Sequence, residues 1–332
     1  MSPDIFNQKQ SGAGAWNISG SGTHSYSDPC DYQASFRDVF AEFTLSCRGG
    51  FGASQHRTTL NHFRLLQAQE SLARVAYVTL PNDAVFLSFS LDPALPLICR
   101  GLRLEPGEIW LHSLGERLHQ RTLGPSCWGL IWLSTTSLAA FSKAMAGRVL
   151  AAPDRGKILR PSDQDRKHLL HVHSGASRLA RIKPRTLAHP EVMRAMEQEL
   201  VGVLISCLTN SEERAETLAV RRAGDIMVCF EGMLANSPLE RWSVAELRAS
   251  AGVSERAFRG YCATFLGTTP YQYMRLRRLM LVRAAILRTD GSARIGDLAR
   301  AGGFTEPGHF ATLYRITYGE TPSATRRRSA DG

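Results

Sequence analysis

GFTEPGHFATLYRITYGETPSATRRR, residues 303–328, decides how the chain is read. A Gly303-Phe304 turn and a Thr at 305 able to cap precede a run in which Phe310, Tyr314 and Tyr318 recur every four residues, the spacing of one helical face laid on a core. His309, Thr312 and Arg315 are left for the outward face. With Arg326, Arg327 and Arg328 behind it, the stretch predicts the second half of a helix-turn-helix followed by a basic tail. An amphipathic helix of this size is, by itself, only core packing. Its functional weight comes from a similar unit upstream, Ser243 to Gly267.

In that upstream unit Ser243 caps a short helix over residues 244–250, Gly252 supplies the permissive turn, and Ser254 caps a second helix from Glu255 to about Phe265. Its apolar positions, Ala257, Phe258, Tyr261, Cys262 and Phe265, leave Arg256, Arg259 and Gly260 on the exposed face near the helix start, where a recognition helix meets base edges. In the downstream unit Ile295 to Ala301 is the supporting helix, Gly302-Gly303 the turn, and Glu306 to Tyr318 the recognition helix, with Pro307 early enough to be tolerated. One continuous helix over Pro270 to Arg288 separates the units. Such a spacer sets the recognition helices in successive major-groove segments, roughly 34 Å apart. Arg275, Arg277, Arg278 and Arg283 along it either touch phosphates or form a solvated face.

The charge distribution agrees with that placement. The formal net charge is +10, of which residues 221–332 supply +7 from 17 Arg, no Lys and 10 acidic residues. The planar fork of Arg bonds a phosphate or the O6 and N7 edge of guanine bidentately, which Lys cannot do. A basic surface alone is equally well a solvated one. The seven cysteines are scattered without a Cys-x-x-Cys pair, as reduced thiols are, and offer no zinc site. The lack of a signal-like start and of any apolar run long enough for a bilayer implies a cytoplasmic protein without a membrane partner. No Ser-His-Asp arrangement, paired-carboxylate site or phosphate loop is visible, so neither a cofactor nor an enzyme is expected.

Taken from the start, residues 1–30 are rich in Ser and Gly and predict a flexible arm. Residues 31–208 predict a sensory and dimerisation domain. Its first part shows short strand-like runs over residues 74–80, 84–91, 97–104, 108–112, 117–121 and 128–133, the pattern of an antiparallel barrel or sandwich able to hold one small ligand. Of these, a cupin-like β-barrel is the form expected. Helices over residues 136–147 and 162–181 follow, and the second is opened by Ser162 and Asp165. From Glu191 to Leu208 a wide apolar stripe, Val192 to Leu208, leaves Glu197 off its face and packs either on its own domain or on the same helix of a second subunit. Residues 209–220 read as a linker and residues 221–328 as the DNA-binding domain, giving an α+β two-domain chain.

The run SVAELRASAGVSERAFRGYCATFLGTTPYQYMRLRRL, followed by RIGDLARAGGFTEPGHFATLYRITYGETPSATRRR, resembles the double helix-turn-helix domain of AraC/XylS-family bacterial transcription regulators. The likeness covers about Arg221 to Arg328 and rests on Gly252-Val253-Ser254, Pro270 with Tyr273, Arg278-Leu279, Gly303-Phe304 and Gly319 with Pro322. Gly308, Tyr314 and Thr325, which depart from the broad family pattern, fit the branch containing regulators of benzoate-type aromatic catabolism and of ethanolamine use. The stretch LEPGEIWLHSLGERLHQRTLGPSCWGLIWL resembles strand pairs of the family's sensory barrel.

That resemblance implies an activator that binds a small effector in its N-terminal domain, forms a homodimer, and contacts promoter DNA and RNA polymerase through its C-terminal domain, working on the bacterial nucleoid. A regulator that needs no ligand, governed by protein partners or by abundance, is the alternative. Carried over by position, base readout falls on Arg256, Arg259 and Gly260, and on Pro307, Gly308, His309, Ala311 and Thr312. Gly260 and Ala311 have no side chain that can bond a base, so discrimination is expected to rest on the first helix, chiefly on its two arginines. Ser254, Arg275, Arg278, Arg315 and Arg326 are the candidates for phosphate contacts. In the sensory domain His112, His119 and Trp110 are the candidates for facing an effector. His168, His171 and His173 do not make a metal site, because on a helix the third is turned from the other two.

Overall fold

The computed structural model describes residues 21–236, 242–289 and 293–330; residues 1–20 of the expected arm lie outside them. The chain begins β1 (Gly22–Tyr26), α1 (Pro29–Ala34), β2 (Phe40–Leu45), β3 (Ala53–Thr59), β4 (Phe63–Glu70), β5 (Arg74–Thr79) and β6 (Ala84–Ser90). It continues β7 (Ile98–Cys99), β8 (Leu102–Arg103), β9 (Ile109–Leu111), β10 (Arg117–Arg121) and β11 (Ser126–Ser134). Then come α2 (Thr135–Ala146), β12 (Lys157–Arg160), α3 (Asp163–Ile182), α4 (Pro184–Leu187), α5 (Pro190–Asn210) and β13 (Glu212–Arg214). The C-terminal part is helical: α6 (Leu218–Asn236), α7 (Val244–Ser250), α8 (Glu255–Leu266), α9 (Pro270–Arg288), α10 (Ile295–Ala301), α11 (Pro307–Tyr318) and α12 (Pro322–Ala330). No described helix is long and apolar enough to cross a membrane.

The α+β two-part architecture is the expected one, but the β-domain is a sandwich. Its strands form two open antiparallel sheets, ordered β1-β3-β4-β11-β6-β9-β12-β13 and β2-β5-β10-β7-β8, and no barrel closes among the described residues. Side chains alternate between two cores along each strand, as the pleat requires. From the large sheet Leu65, Leu87, Ile109, Ile131 and Leu159 pack under α2, α3 and α5. Their neighbours Leu66, Phe86, Trp110, Trp132 and Ile158 fill the space between the sheets.

The apolar stripe of α5 is used within its own domain, where Leu200, Leu204 and Cys207 join Leu169 and Val172 of α3. Glu197, expected off that face, is buried and accepts hydrogen bonds from the Asn61 amide at 3.0 Å and the His62 backbone N–H at 2.6 Å. Residues 21–30 are not a loose arm: β1 pairs with β3, and Asp28 caps α1. The expected linker is likewise partly ordered, since Glu212–Arg214 pairs with Ile158–Arg160 and α6 starts at Leu218.

The outer face of the small sheet is covered by the C-terminal helices. Val75 joins the core made by Met227, Phe230, Phe258, Phe265 and Tyr273. Leu45 joins the one made by Leu279, Val282, Leu298, Phe310 and Tyr314. The layers therefore run helices, large sheet, small sheet, C-terminal helices.

Candidate nucleic-acid interface and effector cavity

The first helix-turn-helix is built from α7 and α8. Ser243 and Glu246 form a reciprocal capping box, with the Ser243 hydroxyl accepting from the Glu246 N–H at 3.1 Å and the Glu246 carboxylate accepting from the Ser243 N–H at 2.7 Å. Gly252 takes φ +64°, a left-handed turn that a side chain would strain. Ser254 then caps α8 by accepting from the Ala257 N–H at 3.3 Å, which leaves its hydroxyl proton free for a phosphate. Phe258, Cys262, Phe265 and Leu266 are buried, and Arg256, Arg259 and Gly260, the residues expected to read bases, are exposed. Arg259 is paired with Glu255 one turn earlier at 2.7 Å. Both partners are more than half exposed, so the pair costs little to open when a base competes for the guanidinium.

In the second unit the expected cap fails. Helix α11 begins after Glu306, which makes no side-chain cap, and Thr305 takes no part. Pro307 at the first helical position, where its missing N–H costs nothing, fixes the start instead. Pro307, Gly308, His309, Ala311, Thr312 and Arg315 are all exposed, while Phe310, Tyr314 and Tyr318 are buried. A Cβ on Gly302 would fall 2.2 Å from Val282 Cγ2, so this turn residue is also the point where α10 lies tight on α9. Sequence reasoning passed over Glu306, which is exposed beside the reading face with its carboxylate 3.9 Å from the His309 ring. Carboxylates at such places accept from cytosine N4, and the acidic residue directly before the helix was the available signal.

Two of the spacer arginines are not phosphate contacts. Arg277 is 5% exposed, bonds Glu42 of β2, lies 3.8 Å from Glu231 and donates to the Leu234 carbonyl at 3.2 Å. Burial opposes its charge, but Glu42 and Glu231 outweigh burial and raise its pKa. Arg283 is 2% exposed and donates to Asp28 and Glu320, each at 2.6 Å, and to the Tyr314 hydroxyl at 2.8 Å. Burial pushes the Asp28 carboxyl upward, yet Arg283, the Cys30 N–H and Arg328 together hold it below its ordinary value. The basic tail is partly drawn inward too, with Arg328 on Asp28 at 2.6 Å and Arg326 donating to the Ala293 carbonyl at 2.6 Å. Arg275 and Arg278 are half-buried, and Arg315 is exposed.

The three effector candidates separate. His112 and Trp110 converge on Glu116, whose Oε2 lies 2.6 Å from His112 Nδ1 and accepts from the Trp110 indole at 3.2 Å. The other ring nitrogen of His112 meets Ser88 Oγ at 2.8 Å. The fold thus makes a Ser-His-Glu chain that the sequence did not disclose, because its members come from β6, the end of β9 and the following turn. Ser88 is only 1% exposed between the sheets, where the chain forms a polar seam. His112 and Ser88 line a cavity of about 40 Å³ whose apolar walls include Phe36, Phe43, Val78, Leu118, Trp128 and Leu130. His119 points away from it. Its Nε2 meets Glu231 of α6 at 2.8 Å, and the Tyr273 hydroxyl donates to the same oxygen at 2.5 Å. Burial alone would raise the Glu231 pKa, but His119, Arg277 and Tyr273 lower it. Of the three histidines on α3, His173 is wholly buried while His168 pairs with Glu199 at 3.0 Å on the surface.

Residues 247–328 match a helix-turn-helix domain family. The XylDLEGF operon transcriptional activator 1 of Pseudomonas putida is 38% identical over 147 residues, 42% of this chain and 43% of that protein. The probable thc operon regulatory protein of Rhodococcus erythropolis is 29% identical over 147 residues, 43% of this chain and 44% of that protein. The chain thus covers less than half the length of these relatives. Among solved structures, the AraC-like transcriptional activator CuxR is 14% identical, with a TM-score of 0.44 over 85% of this chain and 100% of that one.

Proposed function

We propose, for a chain that belongs through its C-terminal domain to the AraC/XylS family of regulators, that the protein is a sequence-specific DNA-binding transcription activator controlled by a small molecule held in its N-terminal domain. The observation that carries this reading is the pair of outward faces on α8 and α11, with Arg256 and Arg259 exposed at the start of α8. Arg256 and Arg259 read bases, and His309 and Thr312 add a weaker contribution. Ser254, Arg275, Arg278 and Arg315 meet phosphates, and Arg326 does so with the donors that Ala293 leaves unused. The domains run as a sensory unit to residue 208 and a DNA-binding unit from residue 221. The effector occupies the cavity beside His112 and Ser88, which favours a ligand-controlled regulator over one without a ligand. Dimerisation and contact with RNA polymerase follow from the family resemblance, and the site of action is nucleoid DNA in the bacterial cytoplasm.

Promoter footprinting combined with genome-wide occupancy tests the reading by locating an operator. Affinity for that duplex is expected to fall steeply with salt, because arginines that neutralise phosphates release counterions. Binding that ignores salt would remove the C-terminal assignment.

A further inference from the structure

Strands β2, β5 and β10 form one wall between two compartments. Alternate residues on a strand face opposite sides. Phe43, Val78 and Leu118 line the cavity. Their neighbours Glu42, Tyr77 and His119 face the DNA-binding domain: Glu42 bonds Arg277, His119 meets Glu231 at 2.8 Å, and Tyr77 packs on the His119 ring with centroids 5.3 Å apart. Glu42 on β2, His119 on β10 and, on β5, Val75 in the core with Met227 and Phe230 attach to the C-terminal helices, so each strand carries both a cavity lining and a point of attachment.

The charges around the cavity are already matched. Arg74, which borders it, gives Nε to Glu70 at 2.9 Å and Nη2 to the Gln120 side chain at 2.8 Å. His112 is engaged at both ring nitrogens, by Glu116 and Ser88. A carboxylate or an ammonium entering here would shed its water and meet no unspent counter-charge. A hydroxyl or carbonyl needs only the Ser88 end of the seam. Size matters as well: at about 40 Å³ the cavity has room for water but is well short of the roughly 150 Å³ that holds a benzene ring. An organic occupant has to part the two sheets, and the thinner one bears the DNA-binding domain on its back.

We propose that the cavity binds a small uncharged, mainly apolar molecule with a single hydroxyl or carbonyl, and that its entry displaces the wall of β2, β5 and β10 and thereby changes the grip of Glu42 and His119 on the DNA-binding domain. This rests on the effector reading given above.

The test uses the full-length protein and three probes of one shape and different charge, benzyl alcohol, benzoate and benzylamine. Tryptophan fluorescence reports occupancy, because Trp128 lines the cavity, and anisotropy of the footprinted promoter duplex reports DNA affinity. Benzyl alcohol is expected to saturate with a Kd about tenfold or more below those of the two ions, and to alter DNA affinity. Val78→Phe, with Leu118→Phe as a second filling variant, removes the saturation. Glu42→Gln and His119→Gln keep it but blunt the change in DNA affinity. Tighter binding of benzoate or benzylamine overturns the charge argument. No saturation by any probe overturns the cavity as a site, while salt-dependent DNA binding in the same samples leaves the regulator reading standing. Saturation with no change in DNA affinity, or with an equal change in Glu42→Gln and His119→Gln, overturns the wall.

Discussion

Acid should loosen this chain through one imidazole. His173 on α3 is wholly buried, with its ring set edge-on to Phe89 at 5.2 Å between centroids. Burial lowers its pKa from 6.5 to about 4, against a weaker opposite pull from the backbone of Leu66 and Leu130. The folded chain therefore keeps the ring neutral at pH values where the unfolded chain protonates it. Since the folded value is the lower one, the unfolded state binds the extra proton between the two, so stability is whole above about pH 6.5 and declines as pH falls toward 4. The completed loss is about 3 kcal/mol, and about 2 kcal/mol of it is reached at pH 5. Urea denaturation of the wild type and His173→Leu at pH 7 and pH 5 reads this directly. The wild type is expected to lose about 2 kcal/mol more than the variant between those two conditions, whatever the variant's absolute stability. Equal losses would mean that the ring is not held neutral, and the reasoning from burial would fall.

Asp28→Asn leaves Arg283 buried with one carboxylate fewer, and a loss of about 3 kcal/mol in the same denaturation assay is expected; a neutral result would show that Glu320 alone suffices. Gly302→Ala puts a methyl group against Val282 and should destabilise by about 1–3 kcal/mol in thermal or urea unfolding, with weaker promoter binding as α10 shifts. Arg259→Ala on the mapped operator should lose about 1–3 kcal/mol concentrated at one base position. A loss spread evenly over sequences would make Arg259 a phosphate contact.

The C-terminal elements were legible because their determinants are local. Ser243, Gly252, Ser254, Thr269 and Pro270 sit at caps and turns, and the sequence bounds of α7, α9 and α10 coincide with the observed ones. Long-range pairing was not legible. Glu212–Arg214 is a charged, short strand that pairs, among the described residues, only with Ile158–Arg160, across the whole of α3 to α5, and Lys157–Leu159 in turn pairs with Ile109–Leu111. Arg277 and Arg283 look like surface residues until acceptors 235 and 255 positions away in the chain are supplied. The period-2 pattern is the same for a closed barrel and for two open sheets, so it could not separate them. In the β-domain, His112 and His119 stand on opposite sides of the small sheet, a distinction set by strand pairing, since β9 joins the large sheet and β10 the small one. At the interface the exposed faces were readable from helical spacing, whereas the diversion of Arg328 to Asp28 was not.

Helix α9 supplies Tyr273 and Met274 to one helix-turn-helix core and Leu279, Val282 and Ile286 to the other. One inserted residue between those groups would rotate one unit against the other by about 100° and lengthen the span by about 1.5 Å. Arg277 and Arg283 would at the same time leave their carboxylates on the sensory domain. On the proposed reading of α8 and α11, operator spacing is therefore not a quantity that can drift by small steps, and new target sites arise by exchanging side chains on those two helices while the distance between half-sites stays inherited.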